Sequence, residues 1–182
     1  MRLFVAADLD VASREACARV AEHLRERGWP GRWVAPENYH LTVAFLGSVD
    51  PARLPDVVKA VQDAAPRVAP FDVPLDAVGA FPNSRRPRVV WVGPGAAVLA
   101  FGTLCGVVRS ELAALGFTFE PHADAHVTLA RAAGPTVALP AVDPPRIAPL
   151  PVAALTVYES FTERAGARYE AVARVSLEPR RL

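Results

Sequence analysis

Two stretches of this chain share an unusual pattern, in which polar side chains interrupt an apolar run at every second residue. The first reads NYHLTVAFLG at residues 38–47, and the second reads AHVTLARAA at residues 125–133. Because side chains alternate across a strand, the His and Thr of each copy share one face and the aliphatic residues share the other. The pattern therefore predicts two strands that each bury one face and present a ligand-binding face. The polar residues are His40 and Thr42 in the first copy and His126 and Thr128 in the second.

The remainder of the chain mixes further predicted strands with helices. Helical spacing of apolar residues follows Ser13, a possible N-cap, and the Asp50–Pro51 pair opens a second helix. The longest helical pattern ends at Gly116, where glycine is a typical stop. Helices are predicted at 13–28, 51–68 and 96–116, and strands at 2–9, 71–81, 88–93, 152–161 and 167–177, with turns at PNSRRP and TERAG.

The order of these elements indicates the fold class. Strands follow one another in close, hairpin-like succession without regular βαβ spacing, which favours an α+β fold with antiparallel sheets. The repeated His-x-Thr strand indicates two lobes related by pseudo-symmetry, within a single domain that spans residues 1–182. The proline-rich segment LPAVDPPRIAPLP is expected either to cross between the lobes or to form a rigid surface loop.

Charge and composition exclude some classes of partner. Twenty Lys and Arg residues stand against 19 Asp and Glu residues, so the net charge of +1 cannot attract long DNA or an anionic membrane globally. The chain has no apolar stretch of membrane-spanning length and no signal-peptide pattern, so we expect a cytoplasmic protein. Cys17 and Cys105 fall in predicted helices, where they are expected to be small buried hydrophobic residues.

The two polar faces suggest acid–base chemistry on a phosphate. Near pH 7 one imidazole can be neutral and accept a proton while the other is charged and donates one. Two threonine hydroxyls beside them can donate hydrogen bonds to phosphate oxygens, without any metal or cofactor. This set of groups fits the cleavage of a phosphodiester. The competing interpretation is structural, with each histidine hydrogen-bonded within its own sheet.

Two other patterns suggest different sites. HADAH at 122–126 would place His122, Asp124 and His126 on one face of a strand, as in a metal site, but this leaves the first His-x-Thr copy unexplained. Trp33 and Tyr39 flank the first copy and could stack a nucleobase, although aromatic residues beside a sheet more often belong to the core. We therefore favour the interpretation that includes both His-x-Thr copies.

Several segments, taken in order, resemble the 2H phosphoesterase superfamily, which is named for its two His-x-Thr motifs. The segments are RLFVAADL, RWVAPENYHLTVAFLG, VGAF with PRVVWVG, HVTLAR, and VYESF with ARYEAVARVSL. The resemblance is strongest to bacterial and archaeal LigT-like RNA 2′,3′-cyclic phosphodiesterases, also called 2′-5′ RNA ligases. It implies a bilobal α+β fold with a central cleft and outer helices. It also implies metal-independent hydrolysis of 2′,3′-cyclic phosphate ends of RNA to 2′-phosphomonoesters, with possible reverse ligation.

The resemblance also implies roles for individual residues. His40 would donate a proton, His126 would accept one, and Thr42 and Thr128 would hold the phosphate. Arg131 matches an arginine of the family, but strict alternation places it on the face opposite His126, so a bulge or a strand end would be needed to turn it to the phosphate. A solvated loop and an RNA-steering turn are equally compatible with the basic residues of NSRRPR, which are Arg85, Arg86 and Arg88. One departure is Ala125, where the family often has proline.

The expected partner is an RNA end or short oligonucleotide with a 2′,3′-cyclic phosphate, bound by a monomer that does not contact a membrane. One alternative is a 2H phosphodiesterase that acts on a small cyclic nucleotide or a cyclic ADP-ribose phosphate. An alternative of another class is a non-catalytic module that binds RNA ends. Turnover of a substrate distinguishes the module from either enzyme.

Overall fold

The computed structural model describes residues 1–135, 137–164 and 166–177 of the chain. Three α-helices occupy Val11–Glu26 (α1), Leu54–Ala64 (α2) and Leu99–Ala114 (α3). The strands are Arg2–Asp8 (β1), Gly31–Trp33 (β2), His40–Ser48 (β3), Phe71–Val73 (β4), Ala77–Phe81 (β5), Val89–Gly93 (β6), Val127–Ala132 (β7), Leu150–Val152 (β8), Ala154–Glu163 (β9) and Gly166–Ser176 (β10).

Within the part of the chain that the structure describes, the main sheet has eight strands and is antiparallel throughout. Seven strands follow the order β10-β9-β1-β3-β7-β6-β5, and β2 pairs with β7. The two His-x-Thr strands, β3 and β7, are neighbours at the centre of this order. Between them the ladder holds one register pair within the described residues, Leu41 with Val127. The sheet therefore consists of two halves that meet at a narrow seam between the repeated strands.

The helices cover the apolar face of this sheet. Helix α1 contacts β7 and helix α3 contacts β3, so each half of the sheet is covered by a helix that follows the other half in the chain. Leu41, Val43, Val127 and Leu129 are fully buried in one continuous core with apolar residues of all three helices. The α+β prediction with antiparallel sheets and outer helices is confirmed. Across the described ranges, none of the helices has the length and apolarity needed to cross a membrane.

Two details of the local predictions are wrong. Ser13 is not the N-cap of α1, because the helix begins at Val11 and the Asp10 carboxylate accepts the hydrogen bond from the Ser13 N–H. The stretch 71–81 is two strands in different sheets, because Pro74 lacks the N–H that a continuous ladder needs. The first of these strands, β4, pairs with β8, which lies at the end of the proline-rich segment.

Other elements agree with the sequence patterns. Strands β9 and β10 form the expected C-terminal hairpin, with Glu163 opposite Gly166; its TERAG turn includes Ala165, which lies outside the described residues. The Asp50–Pro51 pair opens a single 3-10 turn, in which the Asp50 carboxylate accepts from the Ala52 N–H, and α2 follows. Cys17 and Cys105 are buried free thiols, and burial raises the pKa of the Cys17 thiol to about 12.

Candidate active site

A cavity of about 180 Å³ lies over the seam between β3 and β7, on the face of the sheet opposite the helices. Both imidazoles, both threonine hydroxyls and the Arg131 guanidinium line it. Strands from both halves of the sheet thus contribute to one small polar site. The lining residues are Phe4, Val34, Asn38, His40, Thr42, Phe45, His126, Thr128, Arg131, Ser160 and Tyr169.

Backbone carbonyls hold the two imidazole rings in the same way. The Nδ1 atom of His40 lies 2.7 Å from the Asn38 oxygen, and the Nδ1 atom of His126 lies 2.8 Å from the Asp124 oxygen. A carbonyl can only accept a hydrogen bond, so Nδ1 carries the proton in each ring and Nε2 is the atom that gains or loses one. The two rings are therefore in the same tautomer, with Nε2 available for proton transfer.

The hydrogen bonding of the two motifs differs at the threonines. His40 Nε2 lies 3.0 Å from Thr42 Oγ1. Within the described residues, His126 Nε2 makes no such bond to Thr128. A neutral His40 accepts the Thr42 hydroxyl proton, whereas a charged His40 donates to the Thr42 oxygen and leaves that hydroxyl proton free. Protonation of His40 thus determines whether Thr42 can donate to a ligand.

A β-bulge in each repeated strand decides which side chains reach the cavity. In the β1–β3 ladder Ala6 pairs with Thr42 and Val5 with Ala44, so Val43 has no counterpart. In the β6–β7 ladder the residue skipped in the same way is Leu129, which directly follows Thr128. Each bulge buries two consecutive residues and turns the next side chain towards the cavity.

The bulge in β7 brings Arg131 to the site. Strict alternation would place its side chain with Val127 and Leu129, in the core. Instead Leu129 and Ala130 are both fully buried, and Arg131 lines the cavity with His126 and Thr128. Phe45 is its counterpart in β3 and is 50% exposed. Arg131 can reach the cavity only if the strand alternation is interrupted after the motif. The bulge at Leu129 in β7 provides this interruption.

The electrostatic environment favours neutral imidazoles. Burial is the main cause that lowers the pKa of His40, and the positive charges of His126 and Arg131 lower it further, against the Asn38 hydrogen bond and the Asp8 carboxylate. Burial is also the main cause that lowers the pKa of His126, to which Arg131 adds. A bound anion would oppose these effects, because its negative charge stabilises the protonated rings.

Several residues of the site were not predicted from the sequence. Phe4 and Tyr169 enclose the His40 ring, with ring centroids 4.8 Å and 5.6 Å from it. The Asn38 amide donates to the Ala167 carbonyl at 2.6 Å and so holds the turn before His40 against β10. The Asp8 carboxylate accepts from the hydroxyls of Thr156 and Tyr158. Asp8 ends the first strand directly opposite His40, but that register only the structure reveals.

Two groups of residues singled out in the sequence lie apart from the cavity. Arg85, Arg86 and Arg88 are exposed in the loop between β5 and β6 and do not line it. Their role in steering RNA stays a prediction. Tyr39 is buried in the core, and Trp33 packs against that core with its ring 5.9 Å from Trp29. The core interpretation of these two aromatic residues is therefore correct.

The HADAH segment supplies a backbone contact to the site. Its Asp124 carbonyl holds the His126 ring, and the segment approaches β6 at Gly93, where a Cβ atom would lie 2.6 Å from the Ala125 oxygen. In the ranges that the structure describes, no three His, Cys, Asp or Glu side chains are grouped as metal ligands. The placement of His126 therefore depends on a close backbone approach that glycine permits.

We expect that Arg131→Met raises the pKa values of both His40 and His126. The guanidinium charge disfavours protonation of both rings, so its removal favours the charged forms. Proton NMR titration of the histidine ring signals measures both values. Arg25→Met is the control, because that exposed arginine stacks on Trp33 outside the cavity and is expected to leave both values unchanged. Unchanged values in Arg131→Met would contradict the electrostatic role.

A larger cavity of about 700 Å³ lies beyond His126, between Phe81, Trp91 and the start of α3. Its lining is mostly apolar. Phe81 lines this cavity and also packs edge-to-face with the His126 ring, with 5.0 Å between the two ring centroids. Groups that can transfer a proton or hold an anion are concentrated in the smaller cavity. Chemistry, rather than size, therefore identifies the candidate active site.

Comparisons with known proteins match this chain to one family. Residues 8–91 match the model of the LigT like Phosphoesterase family. An Escherichia coli K12 protein named RNA 2′,3′-cyclic phosphodiesterase is 34% identical, over 97% of this chain and 96% of its own length. A protein of the same name from Methanothermobacter thermautotrophicus is 33% identical, over 74% of this chain and 73% of its own length.

Solved structures show the same fold. The apo form of E. coli LigT aligns with a TM-score of 0.75 and 33% identity, covering 96% of each chain. The crystal structure of a Thermus thermophilus protein aligns with a TM-score of 0.85 and 28% identity, covering 100% of each chain. These matches cover nearly the full length of the chain at 28–34% identity. The chain belongs to the LigT-like family of 2H phosphoesterases.

Proposed function

We propose that this protein hydrolyses the 2′,3′-cyclic phosphate end of RNA to a 2′-phosphomonoester, without a metal ion. The observation that carries this proposal is the convergence of two imidazoles, two hydroxyls and one guanidinium on a single small cavity. These groups supply proton transfer and neutralise anionic charge, which are the two requirements of phosphodiester hydrolysis. No group beyond the side chains of this chain is needed for either requirement.

In the proposed reaction, neutral His126 accepts a proton from water as the water oxygen attacks phosphorus. The bond between phosphorus and the ribose 3′ oxygen breaks, and charged His40 donates its Nε2 proton to that oxygen. The product carries the phosphate on the 2′ oxygen. The two imidazoles then exchange protons with solvent to restore their starting states. Attack by an RNA 5′-hydroxyl in place of water would produce a 2′-5′ linkage, which is the proposed ligation.

The remaining groups would hold the phosphate. With His40 protonated, its Nε2–H donates to the Thr42 oxygen until the ribose 3′ oxygen replaces that acceptor, and the Thr42 hydroxyl can donate to a non-bridging phosphate oxygen. Thr128 and Arg131 line the other side of the cavity and would contact the remaining oxygens. The negative charge of the substrate would also raise the pKa of His40, and so favour the acid form that the reaction requires.

The names of the relatives support this substrate class. The proteins from E. coli, M. thermautotrophicus and Archaeoglobus fulgidus are all named RNA 2′,3′-cyclic phosphodiesterase. E. coli LigT has been crystallised in complex with 3′-AMP and with phosphate. Each of these ligands contains the kind of phosphate group that our proposal places between the two His-x-Thr motifs.

We also propose that residues 1–182 act as a single domain of two intertwined lobes, as a cytoplasmic monomer. The packing of α1 on β7 and of α3 on β3 supports intertwined lobes, because each of these helices packs on the half of the sheet that it does not follow in the chain. The free thiols of Cys17 and Cys105 are consistent with a reducing compartment. Size-exclusion chromatography with light scattering tests the oligomeric state.

The proposed activity is tested with a short RNA that ends in a 2′,3′-cyclic phosphate, incubated with the protein in the presence and absence of EDTA. We expect equal rates under both conditions and a product with the phosphate on the 2′ oxygen, assigned by ³¹P NMR. Loss of turnover with EDTA, or a 3′-phosphate product, would contradict the proposed reaction. Binding of the RNA without turnover would favour the non-catalytic module. Turnover of small cyclic nucleotides alone would favour the other enzyme.

A further inference from the structure

Arg109, on helix α3, lies outside the catalytic cavity and contacts the chain next to both His-x-Thr motifs. Its Nε donates to the Val43 oxygen at 2.9 Å. Its Nη1 donates to the Glu120 oxygen at 3.0 Å and to the His122 oxygen at 3.2 Å. The guanidinium also stacks over the Phe119 ring, 5.8 Å from the centroid. One side chain thus joins β3 to the segment that leads into His126.

The contact on β3 is at the bulge. Val43 is the residue that the bulge leaves without a counterpart in the β1–β3 ladder, and its carbonyl accepts from Arg109. The equivalent bulge residue in β7 is Leu129, whose carbonyl accepts from the Val34 N–H at 2.8 Å. Both bulges are therefore held by a donor from outside their own ladder. In β7 the donor is a backbone amide beside β2, whereas in β3 it is the Arg109 side chain.

The second contact lies just before the segment that orients His126. The Asp124 carbonyl fixes the His126 ring, and Arg109 holds the carbonyl of His122, two residues earlier. The Arg109 Nε atom also donates to the carbonyl of Val43, the residue that directly follows Thr42. Because β3 and β7 share one register pair within the described residues, at Leu41 and Val127, the ladder alone provides little support across this seam.

From these contacts we propose that Arg109 is a positioning residue that sets the spacing between the two His-x-Thr motifs. The inference rests on the proposed phosphodiesterase function, because spacing has a consequence only if both motifs act on one phosphate. A planar guanidinium can donate in fixed directions to the Val43 carbonyl on β3 and to the carbonyls of Glu120 and His122, whereas a lysine ammonium cannot reproduce this fork. A displacement of about 1 Å between reacting groups can cost about a hundredfold in rate.

The chain offers a matched control for this arginine. Arg53 donates to the Leu115 carbonyl, at the C-terminal end of α3, and its guanidinium stacks over Phe117 at 4.9 Å. Like Arg109, Arg53 donates to a backbone carbonyl and stacks over an aromatic ring. Unlike Arg109, it touches neither His-x-Thr strand. Arg53→Ala reports what the loss of such a contact does to stability alone.

We expect Arg109→Ala and Arg109→Lys to lower kcat on cyclic-phosphate RNA by about tenfold to a hundredfold more than Arg53→Ala does. KM should change less than kcat, since Arg109 does not itself line the catalytic cavity. Ethylguanidinium should restore part of the kcat of Arg109→Ala, and ethylammonium should not. Thermal unfolding measured in parallel separates this effect from lost stability. Arg109→Lys keeps the positive charge but removes the planar guanidinium. It therefore tests the geometry of the hydrogen bonds even if Arg109→Ala folds poorly.

A double-mutant cycle shows whether Arg109 acts through the motif. If it positions Thr42, the losses of Arg109→Ala and Thr42→Val should not add, because each disturbs the same contact with phosphate. Fully additive losses would contradict positioning through β3. A kcat of Arg109→Ala and Arg109→Lys equal to that of Arg53→Ala would overturn the proposal.

Titration with inorganic phosphate, followed by the ring NMR signals of His40 and His126, separates this proposal from the proposed function. In the parent protein, phosphate should shift both signals together. In Arg109→Ala we expect its binding to weaken by a smaller factor than kcat, and in Arg53→Ala to remain unchanged. Absence of RNA turnover by the parent protein would end the proposed function, whereas equal phosphate binding by Arg109→Ala and the parent would overturn the role of Arg109.

Discussion

His126→Ala is expected to lose roughly a hundredfold to ten-thousandfold in turnover of cyclic-phosphate RNA, and His40→Ala to lose as much. Both rings line the cavity, and in each a backbone carbonyl fixes the proton on Nδ1, so Nε2 transfers protons. Alanine removes that atom in either position. His23→Ala is the control, because this exposed histidine of α1 lies outside the cavity and should retain full activity.

A second substrate separates the roles of the two rings. A ribose oxygen leaves poorly without a proton, whereas a nitrophenolate leaves readily without one. His40→Ala should therefore lose distinctly less activity on a nitrophenyl phosphodiester than on RNA. His126→Ala should lose activity on both substrates, because water must be activated in either reaction. The opposite pattern would exchange the acid and the base, and full activity of both variants on RNA would make both histidines structural.

The second large effect is expected at the threonines. Thr42→Val and Thr128→Val keep the shape of the side chain but remove a hydroxyl that faces the cavity, so turnover should fall roughly tenfold to a thousandfold. Because Thr42 also hydrogen-bonds His40 Nε2, its replacement should alter the pH dependence of kcat as well. Steady-state kinetics across pH, with thermal unfolding in parallel, measure both effects.

Thr103→Val provides the matched control for these variants. Thr103 lies on α3, where its hydroxyl donates to the Leu99 carbonyl within the same helix, away from both motifs. Its replacement makes the same chemical change outside the cavity that both motifs line, and turnover should be unchanged. If Thr42→Val and Thr128→Val both behaved like Thr103→Val, the hydroxyls would have no part in holding the phosphate.

Much of the site could be predicted because it is encoded by local alternation along two strands. A residue two positions from another on a strand points to the same face, so His40 with Thr42, and His126 with Thr128, follow from spacing alone. The buried aliphatic residues between them indicated which face meets the core. The α+β class followed in the same way, from hairpins and from helical patterns that each lie within one segment of the chain.

Backbone contacts could not be predicted in this way. Asn38 and Asp124 hold the two imidazole rings through carbonyl oxygens, which every residue possesses, so no side-chain pattern marks them. Asp124 attracted attention as a possible metal ligand, but the atom that contacts His126 is its main-chain oxygen. Arg109 likewise lay unmarked within a helical pattern, because its acceptors lie outside that helix, on β3 and on the 117–123 segment.

Taken alone, the sequence determined the two polar faces, the side chains that they carry and the fold class, because each depends on side-chain order within a few residues. Only the tertiary structure decided that both faces share one cavity, that Arg131 lines it and that Arg85, Arg86 and Arg88 do not. The physical reason is that a bulge arises from the pairing of one strand with another. Alternation along β7 predicts Arg131 in the core, and its register with β6 turns the side chain to the histidines.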